Sequence, residues 1–163
     1  MMFDLETYTL LHVVISLIGI ASGGVVLLAL LAGRRQNVPT AVFLTTTVLT
    51  SVTGYGFPFT HLLPSHVVGA ISLVLLALAI YALYARRLVG GWRATYVICA
   101  VAALYFNVFV LIAQAFLKVP ALHALAPTQS ELPFAVAQLV VLGLFIVLGT
   151  LAVRRSRALA PTA

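Results

Sequence analysis

From Tyr8 to Ala32 the sequence contains no Asp, Glu, Lys or Arg, and the same holds for residues 39–59, 65–85, 94–117 and 133–153. Each stretch is close to the roughly 20 residues that a helix needs to cross a hydrocarbon core about 30 Å thick. In lipid every backbone N–H and C=O must be satisfied within its own segment, so uncharged runs of this length are read as helices. Only 7% of the 163 residues are charged, against about 25% in an ordinary soluble domain. So few charges cannot cover a water-exposed surface. The expected class is an all-α integral membrane protein, a single domain over residues 1–163 built as a compact bundle of five transmembrane helices.

The arginines set the expected orientation. Arg34 and Arg35 follow the first stretch, Arg86, Arg87 and Arg93 lie between the third and fourth, and Arg154, Arg155 and Arg157 follow the fifth. With five spans these clusters share one face, and the positive-inside rule makes that face cytoplasmic. The N-terminus is then outside and the C-terminus inside. Asp4, Glu6, Glu131 and Lys118 fall on the outer face. A four-span arrangement would divide the arginines between the two faces. The residues before Tyr8 include two acids and no base. A cleaved signal peptide has a basic start, so the first stretch is expected to stay as a span. The expected location is the bacterial inner membrane, multi-pass. A pI near 10.1 does not point to nucleic acid here, because the arginines sit in short clusters between apolar runs. The expected partners are the lipid bilayer, then other membrane subunits or a second copy of the chain. The arginines are placed to meet anionic lipid.

The second stretch is rich in hydroxyls: Thr40, Thr45, Thr46, Thr47, Thr50, Ser51 and Thr53. Such hydroxyls can bond the carbonyl one turn earlier, which makes them tolerable in lipid. Pro58 and Pro64 break helical continuity, so residues 55–66 read as a short, stiff link. The longest connection is 118–132. Within it Leu122, Leu125 and Ala126 suit a short interfacial helix. Thr128 and Glu131 have capping-box spacing, while Pro133 suits a first helical turn, which leaves the start of the last helix open between the two. Cys99 is the lone cysteine, which excludes an intramolecular disulfide and reads as a small buried apolar residue.

His12, His61, His66 and His123 all map to the outward end. At about 1.5 Å per residue, His12 and Gln114 lie about one turn below the outer boundary, Gln138 slightly deeper, and His66 at the boundary itself. Tyr8, His12, Ser16, Gly19 and Gly23 share one stripe of the first helix. Gly19 and Gly23 form a small-xxx-small pair that lets another helix approach, so His12 is expected to face the bundle. Asn107 and Gln114 are seven residues apart on one face, and a primary amide in lipid is costly unless bonded, so both are expected inward. The candidate site is therefore His12, His66, Gln114 and Gln138. Three chemistries suit it. A b-type haem would take His12 and His66, with His61 as substitute. Copper or zinc would take His12, His61 and His66 with Glu6 or Glu131. A proton or small-solute path would be lined by His12, Asn107, Gln114 and Gln138. The plain alternative is that these groups only tie helices together in a non-catalytic scaffold or accessory subunit, each bond worth about 0.6 kcal/mol in a membrane. The sequence has no phosphate loop, nucleophile elbow or acid pair at catalytic spacing, which argues against soluble-type hydrolase chemistry.

The run from His12 through Gly19, Gly23 and Gly24 to Arg34-Arg35 resembles small bacterial inner-membrane proteins with histidine- and glycine-containing helices. Pro64-Ser65-His66-Val67-Val68-Gly69, followed by Gly91-Trp92-Arg93, is similar in style to the same loose group. Some of its members resemble haem-b membrane cytochromes. The resemblance covers the first four spans. Since the fourth and fifth supply no histidine, it implies at most one haem.

Overall fold

The computed structural model describes residues 4–58 and 64–156. Its helices are α1 (Leu5–Leu31), α2 (Asn37–Gly54), α3 (Pro64–Ile80, prolonged by a π-helical turn over Tyr81–Ala85), α4 (Trp92–Lys118), α5 (Pro120–Leu125) and α6 (Leu132–Arg155). Among the described residues there is no strand. Among the described residues, four helices are long and apolar enough to cross a membrane: α1, Ser65–Ala85, α4 and α6. The expected second span falls outside that group. At 18 residues α2 is about 27 Å long, and its hydroxyls lower its hydropathy. Two of those hydroxyls behave as expected: Thr46 and Thr53 each donate to the carbonyl four residues earlier at 2.7 Å, whereas the buried Thr50 hydroxyl has no hydrogen-bond partner among the described residues.

Local chemistry sets the ends. Asp4 caps α1 by accepting from the Thr7 amide at 2.8 Å. Gly33, at φ +64°, lets α1 close with Gly33 N–H on the Leu30 carbonyl and Arg34 N–H on that of Ala29. Helix α2 stops at Gly54 rather than at the expected Phe59. There the Tyr55 and Gly56 amides turn back onto the Val52 and Thr53 carbonyls, ahead of Pro58. After the π-turn, Arg86 N–H bonds the Tyr81 carbonyl and Leu88 N–H that of Ala82. Arg87 and Leu88 both take left-handed backbone, at φ +49° and +57°, and Leu88 is fully buried beneath the turn. Glu131 is the N-cap position of α6, which leaves Pro133 in the first turn and settles the open start. The Glu131 carboxylate turns outward and accepts from the Thr128 and Ser130 amides at 3.1 Å. The short helix expected in the connection is α5, and it buries no residue.

Glycines and facing side chains show how the helices pair. A Cβ at Gly23 of α1 would meet Phe43 of α2 and Leu104 of α4, and one at Gly19 would meet Thr46, Thr47 and Asn107. Tyr8 bonds Thr53. Helix α1 therefore runs antiparallel to both α2 and α4. Gly149 faces Val101, while Gln138 reaches Phe109 and Phe134 packs on Phe116, so α6 also opposes α4. Helix α4 is central, burying Tyr96, Val97, Cys99, Ala100, Val101, Ala103, Leu104 and Asn107, whereas α6 buries only Gln138 and Ala152. Large apolar side chains cover the outside, including Leu10, Leu28, Val74, Leu139, Val140 and Ile146. An apolar exterior of this extent suits a lipid solvent.

This pairing gathers Arg34, Arg35, Arg86, Arg87, Arg93, Arg154 and Arg155 at one end of the bundle. Asp4, Glu6, Lys118, His123 and Glu131 lie at the other. Arg157 is outside the described residues.

Candidate functional site

The acidic end is organised around the last turn of α2. Thr53 there accepts two contacts from α1. The Tyr8 hydroxyl donates to its carbonyl at 2.7 Å, and Nδ1 of His12 lies 2.8 Å from its Oγ1. Two residues on, the Tyr55 hydroxyl donates to the His66 carbonyl at 2.6 Å, and the two rings lie 5.4 Å apart. One turn of α2 thus holds both histidines, His12 from α1 and His66 from α3. Close packing enforces the arrangement. A Cβ on Gly56 would overlap the Tyr8 hydroxyl, and one on Gly69 would come into ordinary contact with the Tyr55 ring at 3.4 Å. Phe57 packs edge-on against Tyr8 at 5.0 Å and against His12 at 5.1 Å.

The hydrogen bonds assign the His12 tautomer. Thr53 has one hydroxyl proton, and its 2.7 Å bond gives that proton to the Leu49 carbonyl. The 2.8 Å contact with His12 then requires Nδ1 to be the donor. In the neutral ring this leaves the lone pair on Nε2. A hydrogen bond from Nδ1–H is the usual way a protein prepares an imidazole to ligate through its other nitrogen. His12 is half-buried and His66 is buried.

The two glutamines separate from this pair. Gln138 is buried at the α4–α6 contact, where its Nε2 donates to the Phe109 carbonyl at 3.2 Å. Its Oε1 is buried with no hydrogen-bond partner among the described residues. Gln114 is exposed, which corrects the expectation that it faces inward. It keeps the azimuth of Asn107, but the bundle has opened at its level. None of residues 108–115 is buried, whereas Asn107 is. Asn107 donates to Thr47 Oγ1 at 3.3 Å, in the space that Gly19 leaves free. Of the residues expected to line a path, His12 bonds across α1–α2, Asn107 across α2–α4 and Gln138 across α4–α6, while Gln114 is exposed.

No group of three His, Cys, Asp or Glu able to hold a metal ion occurs among the described residues. His61 lies outside them. His123 is exposed on α5. Glu131 is engaged with its own loop, and desolvation, which would raise its pKa, is outweighed by the Thr128 and Ser130 hydrogen bonds that hold it below the usual carboxylate value. Spacing alone does not single out Thr53 as the partner of the His12 ring, nor Tyr8 and Tyr55 as the residues that tie α1 and α3 to the end of α2. The available signal is the Tyr8/His12 pair one turn apart, facing a helix whose last turn carries Thr53 and Tyr55. No family model, curated protein or solved structure matches this chain.

Proposed function

We propose that the chain is a five-span protein of the bacterial inner membrane. Its N-terminus and histidine site face the periplasm, its C-terminus faces the cytoplasm, and it serves as a b-type haem-binding redox subunit. The collected arginines support the orientation through the positive-inside rule. Helix α2 serves as the fifth span because Thr46 and Thr53 bond back to carbonyls of their own helix and Thr40, Thr47 and Ser51 are shielded by neighbouring helices. A fluorescent reporter that works only in the cytoplasm, fused after Ala163, is expected to be bright. A dark fusion with an active periplasmic phosphatase at the same point contradicts the topology.

The observation that carries the haem reading is His12, its Nδ1–H held by Thr53 and its Nε2 left with the lone pair. Haem iron needs only one or two imidazoles from the protein, which His12 and His66 can supply. Bound haem would supply one-electron chemistry. The chain's part is to fix the imidazole tautomer through Thr53 and to shield the site with Phe57 and Tyr55. Titration of the purified chain with haem is expected to saturate at one per chain. His12→Ala should abolish binding, and His123→Ala should leave it intact. Equal binding by wild type and His12→Ala contradicts the assignment.

A second reading has its own support. The bonds of Tyr8 and Tyr55 all run from one helix to the next, as in a scaffold or accessory subunit. A chain that folds normally and never takes up haem favours it.

A further inference from the structure

Tyrosines collect toward the two ends of the bundle, with one departure. Of the six in the chain, Tyr8 and Tyr55 serve the acidic end, while Tyr81, Tyr84 and Tyr96 lie toward the arginine end. Such positions let an amphipathic ring reach the membrane interface. Tyr105 instead occupies the centre of α4, thirteen residues from Trp92 and thirteen from Lys118. At about 1.5 Å per residue it lies about 20 Å from either helix end. A hydrocarbon core about 30 Å thick leaves about 15 Å on each side, more than a tyrosine side chain can cross.

The neighbours of Tyr105 are other rings: Phe106 at 5.5 Å, Phe109 at 6.1 Å and Phe145 of α6 at 5.7 Å. Tyr8 and Tyr55 donate to carbonyls of the next helix, but the Tyr105 hydroxyl closes no hydrogen bond among the described residues. The side chain is only partly buried, and its hydroxyl, unlike Oε1 of Gln138, is not sealed inside the bundle. It faces lipid tails that neither donate nor accept, where an unbonded hydroxyl costs free energy. Ile98, Ala102, Tyr105 and Phe109 follow i, i+4, i+7, i+11 spacing and form one strip of α4. Ile98 is 56% exposed, and Ala102 and Phe109 are partly so. Ala102 is small enough to let another helix come close.

Resting on the membrane reading above, we propose that a second copy of the chain docks on this strip, with the two Tyr105 hydroxyls bonded to each other at a two-fold axis. Copies inserted in the same orientation carry Tyr105 at the same depth. A two-fold axis along the membrane normal then sets identical surfaces against each other, as in closed dimers. A phenol both donates and accepts, so each hydroxyl satisfies the other. Lipid tails offer neither group, and a different subunit would have to bring its own acceptor to mid-membrane. Helix α6 flanks the strip through Phe145 and has surface left to join the contact. It is the least covered of the four long apolar helices, with 11% of its apolar window buried against 28%, 33% and 39% in the others.

The test uses the full chain in vesicles of phosphatidylethanolamine and phosphatidylglycerol, with copies carrying a donor or an acceptor fluorophore after Ala163. Energy transfer is expected to rise with the protein-to-lipid ratio and to level off at pairs. Tyr105→Phe should move the half-association point about 3- to 15-fold toward higher protein, the factor for a side-chain bond between membrane helices. It keeps the ring among its neighbours, so the melting point of the single chain should stay near wild type. Tyr84→Phe, at an exposed tyrosine outside the strip, should leave association unchanged. Wild type that stays single at every ratio overturns the proposal. So does an equal half-association point in wild type and Tyr105→Phe, or an equal shift in Tyr84→Phe. Chains that stay single among themselves, and pair through Tyr105 only with a different membrane protein, overturn the second copy in favour of another subunit. Recovery of the chain from the soluble fraction would instead overturn the membrane reading, which none of the association outcomes does.

Discussion

His12 and Thr53 meet across the α1–α2 contact at 2.8 Å, and Thr53 has already given its only hydroxyl proton to Leu49. The imidazole must supply the proton of the His12–Thr53 bond. In nitrogen NMR of the haem-free chain, Nδ1 of His12 is expected to read as protonated and Nε2 as bare. Thr53→Val should erase that preference and cost about 0.6–1.7 kcal/mol, the range for side-chain bonds between membrane helices. Thr53→Ser should restore both.

Gly23 and Gly24 are adjacent in sequence and opposite in consequence. A Cβ on Gly23 would stand 2.6 Å from Leu104 and 2.8 Å from Phe43, whereas one on Gly24 meets nothing within 4 Å. Gly23→Ala is expected to destabilise the bundle by about 1–3 kcal/mol through overpacking. Gly24→Ala should stabilise by up to about 1 kcal/mol, because alanine loses less backbone entropy in a helix. Thermal unfolding in detergent compares the two. Equal melting points would contradict the packing of α1.

Arg87 holds an exposed side chain on left-handed backbone at φ +49°. That conformation costs a non-glycine residue about 1–2 kcal/mol. Arg87→Gly should therefore raise the melting temperature. The same change at Leu88 should lower it, because the relief of strain is smaller than the loss of a fully buried side chain.

The acidic end should loosen in acid. The Thr7 side chain and amide both lower the pKa of Asp4, and hydrogen bonds hold that of Glu131 down as well. A depressed carboxylate contributes stability that is complete above its unfolded pKa and lost as pH falls through the folded one. The amide proton of Thr7 should titrate with a midpoint below the ordinary aspartate value. In Asp4→Asn that titration should vanish.

Much of the bundle is legible in the charge-free runs, because lipid leaves a backbone few choices. The inner stripe of α1 is readable from His12 through Gly19 to Gly23, since small residues at helical spacing mark close approach. Beyond Gly23 the stripe continues as Val26, Leu27 and Leu30, which are buried but large, so a search for small residues stops short of them. Gln114 shows a different limit. Its spacing from Asn107 gives the direction of the side chain and says nothing about whether a neighbour stands there. The end of α2 was hidden for a third reason, as Pro58 looks like the stronger breaker while the turn already closes at Tyr55 and Gly56.

The most direct measurement is the absorption spectrum of the chain purified from haem-replete cells, in wild-type and His12→Ala forms. A Soret band with the low-spin shape of two imidazole ligands is expected in the wild type, and its loss in His12→Ala with the melting point little changed. A wild-type preparation that is folded and colourless after haem supplementation, or a band that persists in His12→Ala, would contradict the haem assignment.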